Sequence, residues 1–262
     1  TEQQALFGLE ERRPKRLFTL SQGQSALSFP EGFGVPVLST ERLRLSTQVL
    51  NQNVYDQTIR VRHKVTIEFV RDRDVTAPMK PLRMKAATNM MLLEGEEGYF
   101  NVEHGDPRVH GVGAVVGERA EGTRVKTDAF GREFTGHWVV KPGRVTNHTL
   151  VTKYMKLAAD TTVHYIAVHL HPFAESLELR DLTTGTTVFK SRVRNWPDKI
   201  AIQRLEYFSS QEGIPLFKDH EDESVSVYNN TTEENQTAMA VMYIFLLDKE
   251  FRNPLSDSPG DT

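Results

Sequence analysis

The chain has 262 residues, with 32 Lys and Arg against 35 Asp and Glu, for a formal net charge of -3. Hydrophobic residues make up 38% of it, enough for a buried core, and no window approaches the ~18 consecutive apolar residues of a spanning helix, so no membrane span is expected. The near-neutral balance argues against nucleic-acid partners, and the absence of cysteine excludes disulfides, thiolate metal sites, iron–sulfur clusters and cysteine nucleophiles.

The chain opens on Thr1-Glu2-Gln3-Gln4, with neither an initiator Met nor an apolar signal core, the pattern of a processed, truncated or excised chain. Residues 1–28 read as an N-terminal extension, whose basic cluster Arg12-Arg13-Pro14-Lys15-Arg16 follows Glu10-Glu11 and reads as solvated. Residues 29–94 read as an N-terminal β-sandwich segment. The clearest alternation in the chain lies there, with Ile59, Val61, His63, Val65, Ile67 and Phe69 on one face and polar or charged residues on the other, the pattern of a half-buried strand. Further strands are expected at 43–50 and 84–93.

Residues 95–133, rich in Gly and charge, read as an inserted hairpin and loop. Gly111-Val112-Gly113-Ala114-Val115-Val116-Gly117 is one residue too long for a dinucleotide loop and leads into a turn, so it reads as part of a strand at 109–116 with turn glycines. Residues 134–247 read as a C-terminal β-sandwich, with strands at 134–140, 150–157, 162–170, 176–179, 188–193, 200–208, 224–228 and 238–247. Residues 248–262 read as a polar tail. The fold class expected is all-β: antiparallel jelly-roll β-sandwiches, two packed sandwich domains, with little helix.

The strongest chemical signal is His169-Leu170-His171 at the end of an apolar strand that carries Val163, Tyr165 and Ala167 at the alternating positions. On a strand the two imidazoles share one face, with Cα atoms about 7 Å apart, close enough to converge on one metal ion. Imidazoles alone suit zinc, copper, nickel or iron; a thioether narrows the choice towards copper. The last strand offers Met239 and Met242 on opposite faces, either of which is also an ordinary packing residue.

The remaining histidines read mainly as structural. His137, beside Trp138, is a candidate further ligand with a structural alternative; His104 and His110 read as exposed loop residues, His63 as a hydrogen-bonded core residue and His220 as part of a solvated acidic loop. His148 and His164 show no partner by spacing. No His-Glu-x-x-His pattern, Gly-x-Ser-x-Gly turn or phosphate loop is present.

His169-Leu170-His171, followed about seventy residues later by Met239 at the start of an apolar strand with Tyr243-Ile244, resembles the C-terminal domain of the copper type II, ascorbate-dependent monooxygenases. Peptidylglycine α-hydroxylating monooxygenase and dopamine β-monooxygenase belong to that family. His137 to Gly143 is similar to its Pro-Gly turn, Tyr228-Asn229-Asn230-Thr231 to a stretch of its bacterial members, and Thr237-Ala238-Met239 falls where those members carry Asp-Glu-Met. The resemblance implies one copper ion held by His169, His171 and Met239, with Met242 left to packing, and a periplasmic or extracellular protein. It also implies two alternative functions: dioxygen activation for C–H hydroxylation, with a small-molecule substrate or a redox partner, or non-catalytic copper binding within a larger protein assembly.

Residues 29–50 are similar to the family segment that ends in a ligand of the electron-supplying copper, but Leu50 stands where that His is expected and the chain has no adjacent His-His pair. The second copper site is therefore expected to be absent, with Leu50 buried in its place.

Overall fold

The computed structural model describes residues 16–252 apart from Tyr55, with Lys153 described in its backbone alone. The described residues are almost entirely β. Two five-stranded sheets face each other across the main core. The first, in spatial order, contains β1 (Phe33–Gly34), β2 (Lys80–Thr88), β15 (Ala240–Leu247), β8 (Thr161–Leu170) and β12 (Phe208–Leu216). The second contains β11 (Ile202–Leu205), β10 (Thr186–Asn195), β9 (Ala174–Asp181), β13 (Asp222–Asn230) and β7 (Gly143–Leu150). All neighbours within them are antiparallel except β1 and β2.

The run Ala240-Val241-Met242-Tyr243-Ile244-Phe245-Leu246 is apolar without alternation because β15 lies inside the first sheet and is covered on both faces. Met242, Ile244 and Leu246 point into the main core with Ile166, Val168 and Leu170 of β8, meeting Leu177 and Leu179 of β9 and Tyr228 of β13. Val241, Tyr243 and Phe245 point the other way, to a second core with Tyr165 and Ala167. That outer face is closed by Leu27, Phe29 and Phe33. Gln24 donates to the Tyr165 hydroxyl at 2.9 Å, so part of the stretch expected as a mere extension is a cover on the sheet.

Two small sheets complete the fold. In one, β3 (Met91–Leu92), β5 (Glu133–Thr135) and β4 (Val125–Thr127) pair in that order; in the other, β6 (Trp138–Val140) pairs with β14 (Gln236–Ala238). The β4–β5 hairpin straddles the end of the expected insertion; Phe134 of β5 and Phe100 of the preceding loop pack with Met90 and Leu92. Arg132 fixes the loop by donating to the carbonyl of Tyr99 at 2.8 Å and to Asp128, which is itself buried and accepts backbone amides of Phe130 and Arg132.

Several expected elements differ. Residues 29–94 form no separate sandwich among the described residues: β1 and β2 belong to the same sheet as β15 and β8. Residues 43–50 and 58–69, despite their alternation, form no strand: among the described residues no partner strand pairs with them, and their apolar side chains other than Val65 are exposed. Leu50 is 54% exposed and therefore is not a core residue, and His63 is exposed as well. Residues 150–157 hold the short helix Thr152–Met155 instead of a strand; the Asp222 amide donates to the Thr152 hydroxyl at 2.7 Å. Residues 109–116 make only isolated bridges, through Ala114 and Val116.

Candidate metal centre

The pairing of β6 (Trp138–Val140) with β14 (Gln236–Ala238) positions several of the candidate residues. In the β6–β14 pair Trp138 lies opposite Ala238, so continuing the register by one residue sets His137 opposite Met239. In the β15–β8 pair Ala240 lies opposite Leu170, and the same step sets Met239 opposite His171. Met239 thus lies one residue beyond both ladders, whose facing ends lead to His171 and His137, and its side chain packs against the outer core.

The ring contacts agree with this placement. The His169 and His171 centroids are 5.6 Å apart and the His137 and His171 centroids 5.9 Å apart. All three rings and Met239 are half-buried. Met242, by contrast, is fully buried in the main core, where it packs.

Each member of the His-x-His pair has its Nδ1 engaged. His171 Nδ1 lies 3.0 Å from the Thr237 carbonyl. A carbonyl can only accept, so this nitrogen carries the proton and a neutral His171 ring leaves its Nε2 lone pair free. His169 Nδ1 lies 3.0 Å from the Ser21 hydroxyl, which can complement either tautomer. This is the outer arrangement that fixes metal-binding imidazoles in other proteins.

Tyr228 holds the frame. Its buried hydroxyl donates to the Met239 carbonyl at 2.6 Å and accepts the His171 amide at 3.2 Å, tying the backbone of β8 to that of the β14–β15 junction. The ring edge packs on Trp138, 5.9 Å between centroids.

Electrostatics favour neutral imidazoles. Burial, followed by the neighbouring His171 and His137 and the cation of Arg16, pushes His169 down to about 4. Burial likewise lowers His171 and His137. Arg16, expected to be solvated, donates to the Tyr243 hydroxyl at 2.6 Å and lies over its ring. Neutral rings are the form that binds metals.

Among the described residues no group of three or more His, Cys, Asp or Glu side chains has metal-binding geometry. Of the candidate residues, His137, His169 and His171 have neighbouring rings, and Met239 adjoins them through the strand pairing. Leu50 lies in the exposed segment, and His104 pairs with Glu96 at 2.8 Å on the surface.

The other histidines are structural. His164 is buried, stacked 4.2 Å from Phe33 between centroids, with its ring nitrogens bonded to Thr162 and the Ser210 carbonyl. His220 is not simply solvated, since its Nδ1 lies 2.7 Å from the largely buried Asp181 carboxylate. His148 faces Glu223 at 3.1 Å. Ser21 and the Thr237 carbonyl could not be found by spacing: Ser21 is 148 residues from its histidine and has no local pattern around it, and a backbone carbonyl carries no side-chain signal.

No family model, curated protein or solved structure matches this chain. Among the described residues no helix is long and apolar enough to cross a membrane.

Proposed function

We propose that the chain is a copper-binding β protein whose one ion is held by His169, His171 and Met239, with His137 adjacent. The reading is supported by two observations: Met239 lies one residue beyond both the β6–β14 and the β15–β8 ladders, whose facing ends lead to His137 and His171, and Nδ1 of His169 and of His171 is turned to a protein oxygen. The fit to copper follows from the donors, since a thioether with neutral imidazoles prefers Cu(I) over harder ions. When bound, copper in this ligand set would supply dioxygen activation for C–H hydroxylation, by analogy with the monooxygenases that the His-x-His and Met positions resemble.

The chain's own residues would do the positioning. Thr237 sets the His171 tautomer, Ser21 orients His169, and Tyr228 keeps the Met239 backbone against that of His171. Sustained turnover would need an external reductant or a redox partner, because Leu50 and its neighbours offer no second set of imidazoles. A second reading, non-catalytic copper binding within an assembly, is favoured by one observation: the segment that would hold the second site is an exposed strip of alternating apolar residues. The resemblance further implies a periplasmic or extracellular protein.

Anaerobic titration with Cu(I) should give one equivalent per chain, lost in His169→Ala and weakened in Met239→Ala; equal binding by His169→Ala would overturn the assignment. Oxygen uptake by the copper-loaded protein in ascorbate then separates the two readings. Uptake coupled to a hydroxylated product supports the oxygenase, whereas tight copper without uptake supports the binding protein.

A further inference from the structure

Residues 54–79 leave the sandwich and return to it. Asn53 is fixed where it exchanges two hydrogen bonds with the Ile200 backbone, at 3.1 and 2.8 Å, and the chain rejoins where the Lys80 amide donates to the Gly32 carbonyl at 2.8 Å. Between these points residues 58–69 carry the strongest strand pattern in the sequence, yet among the described residues none of their backbone groups is paired in a strand. Ile59, Val61, Ile67 and Phe69 are 53%, 48%, 47% and 79% exposed. Contiguous apolar exposure of this kind on a folded protein marks an interaction surface.

Three outer edges of the two five-stranded sheets, at β2, β12 and β11, suit this segment poorly. The β2 edge carries Lys80, Arg83 and Lys85, which oppose Arg60, Arg62 and Lys64. The β12 edge holds Pro215 and a register shift between Ser209 and Ile214, devices that discourage an added strand. At β11 the Leu205 amide already donates to Gly23 and the Ile202 amide to Gln22.

The segment is complementary to itself. We propose that residues 61–69 pair antiparallel with the same residues of a second copy, with Val65 on the twofold axis. In that register Arg62 lies opposite Glu68 twice, Lys64 opposite Thr66, Val61 opposite Phe69 and His63 opposite Ile67, so the apolar residues share one face. Centring the pair on Arg62, His63 or Lys64 instead opposes Arg60 to Lys64, Arg62 to Lys64, or Lys64 to itself. Among registers that pair nine or more residues within 58–69 with apolar faces together, the Val65 register alone opposes no like charges. A two-stranded ribbon is marginal by itself, and residues 43–50, with Leu43, Leu45 and Val49 exposed, flank it as outer strands.

The test is sedimentation of the full chain over a range of concentrations without added metal, with circular dichroism to verify folding of each variant. The wild type should form a dimer. Arg62→Glu and Glu68→Arg should each weaken it by about tenfold or more, and the double reversal Arg62→Glu/Glu68→Arg should restore it. Because the chain has no cysteine, Val65→Cys introduces a single thiol per copy, which should cross-link the dimer on mild oxidation, whereas Val61→Cys should not. A monomer at every concentration overturns the proposal. So does a dimer that is indifferent to the single charge reversals, or one cross-linked equally through both thiols.

Discussion

Tyr228 shows how one hydroxyl can carry a site. Its ring is buried against Trp138 and its oxygen joins the His171 amide to the Met239 carbonyl. Tyr228→Phe keeps the ring in place but leaves a buried donor and a buried acceptor without that partner, which costs about 1–3 kcal/mol. Urea denaturation should register that loss, and Cu(I) affinity should fall with it, since β8 and the β14–β15 junction would no longer be held in register at the ligands. Unchanged stability would mean that the two backbone groups find other partners. A second residue-scale prediction concerns Asp222, which is buried, has one carboxylate oxygen without a partner and lies across from Asp181 in the ladder. Burial, then the Asp181 charge, pushes its pKa up to about 7. The folded protein therefore holds this proton more tightly than the unfolded chain does. Between the ordinary carboxylate range and pH 7 the unfolded state ionises first, so this group lowers stability as pH rises through that window, and the penalty is complete above it. Asp222→Asn should consequently raise the melting temperature relative to wild type more at pH 8 than at pH 4. An equal shift at both pH values would show that the carboxylate ionises freely in the fold.

At the level of strands, one bulge explains why the sequence pattern misassigns a face. Across β8, Tyr165 lies opposite Phe245 and Val163 opposite Leu246, so His164 is the extra residue. The pleat reverses there: Val163 joins Ile166 and Val168 in the main core, while Tyr165 and Ala167 face the outer core. Alternation cannot reveal this, because both faces of β8 are apolar and the added residue leaves no gap in the hydrophobic run. The same pattern served well at β8, β9, β13 and β15, missed β7 and β12 although both have a neighbour, and failed at 43–50 and 58–69, where alternation describes a capacity to pair that the described residues do not use. It also could not separate the short helix Thr152–Met155 from a strand, since four residues are too few to show a period. For the candidate site, the His-x-His spacing pointed to the imidazole pair, but the proximity of His137 depends on the β6–β14 register, which only the tertiary structure supplies. On the partner side of the bulge, Gly213 has φ +77° and an added Cβ would lie 2.8 Å from the Val163 carbonyl oxygen. Gly213→Ala should thus destabilise by at least the roughly 1–2 kcal/mol of a left-handed L-residue, measurable in chemical denaturation. A loss below a few tenths would mean that the turn relaxes without disturbing β8.

For the whole molecule, the candidate ligands sit where separately folded parts meet. His169 and His171 belong to the end of β8, Met239 to the junction of β14 and β15, His137 to the start of β6, and Ser21 to the segment covering the outer face. An ion bound there would join the first sheet, the β6–β14 ribbon and the N-terminal cover, and opening any one of them would break the donor set. Binding to the folded state alone stabilises it by about 2.7 kcal/mol when free ligand is one hundred times Kd. In a domain of this size that corresponds to a rise of roughly 5–10 °C in melting temperature. Cu(I) under anaerobic reducing conditions should produce a shift of that order in the wild type and none in His169→Ala, while Zn(II) at the same excess should produce a smaller one because the thioether contributes little to a harder ion. The Arg62→Glu variant should show the full copper shift, since the exposed segment is separate from the donors. Loss of the shift in that variant would show that copper binding and assembly are one event, and an equal response to both metals would argue that Met239 is no ligand.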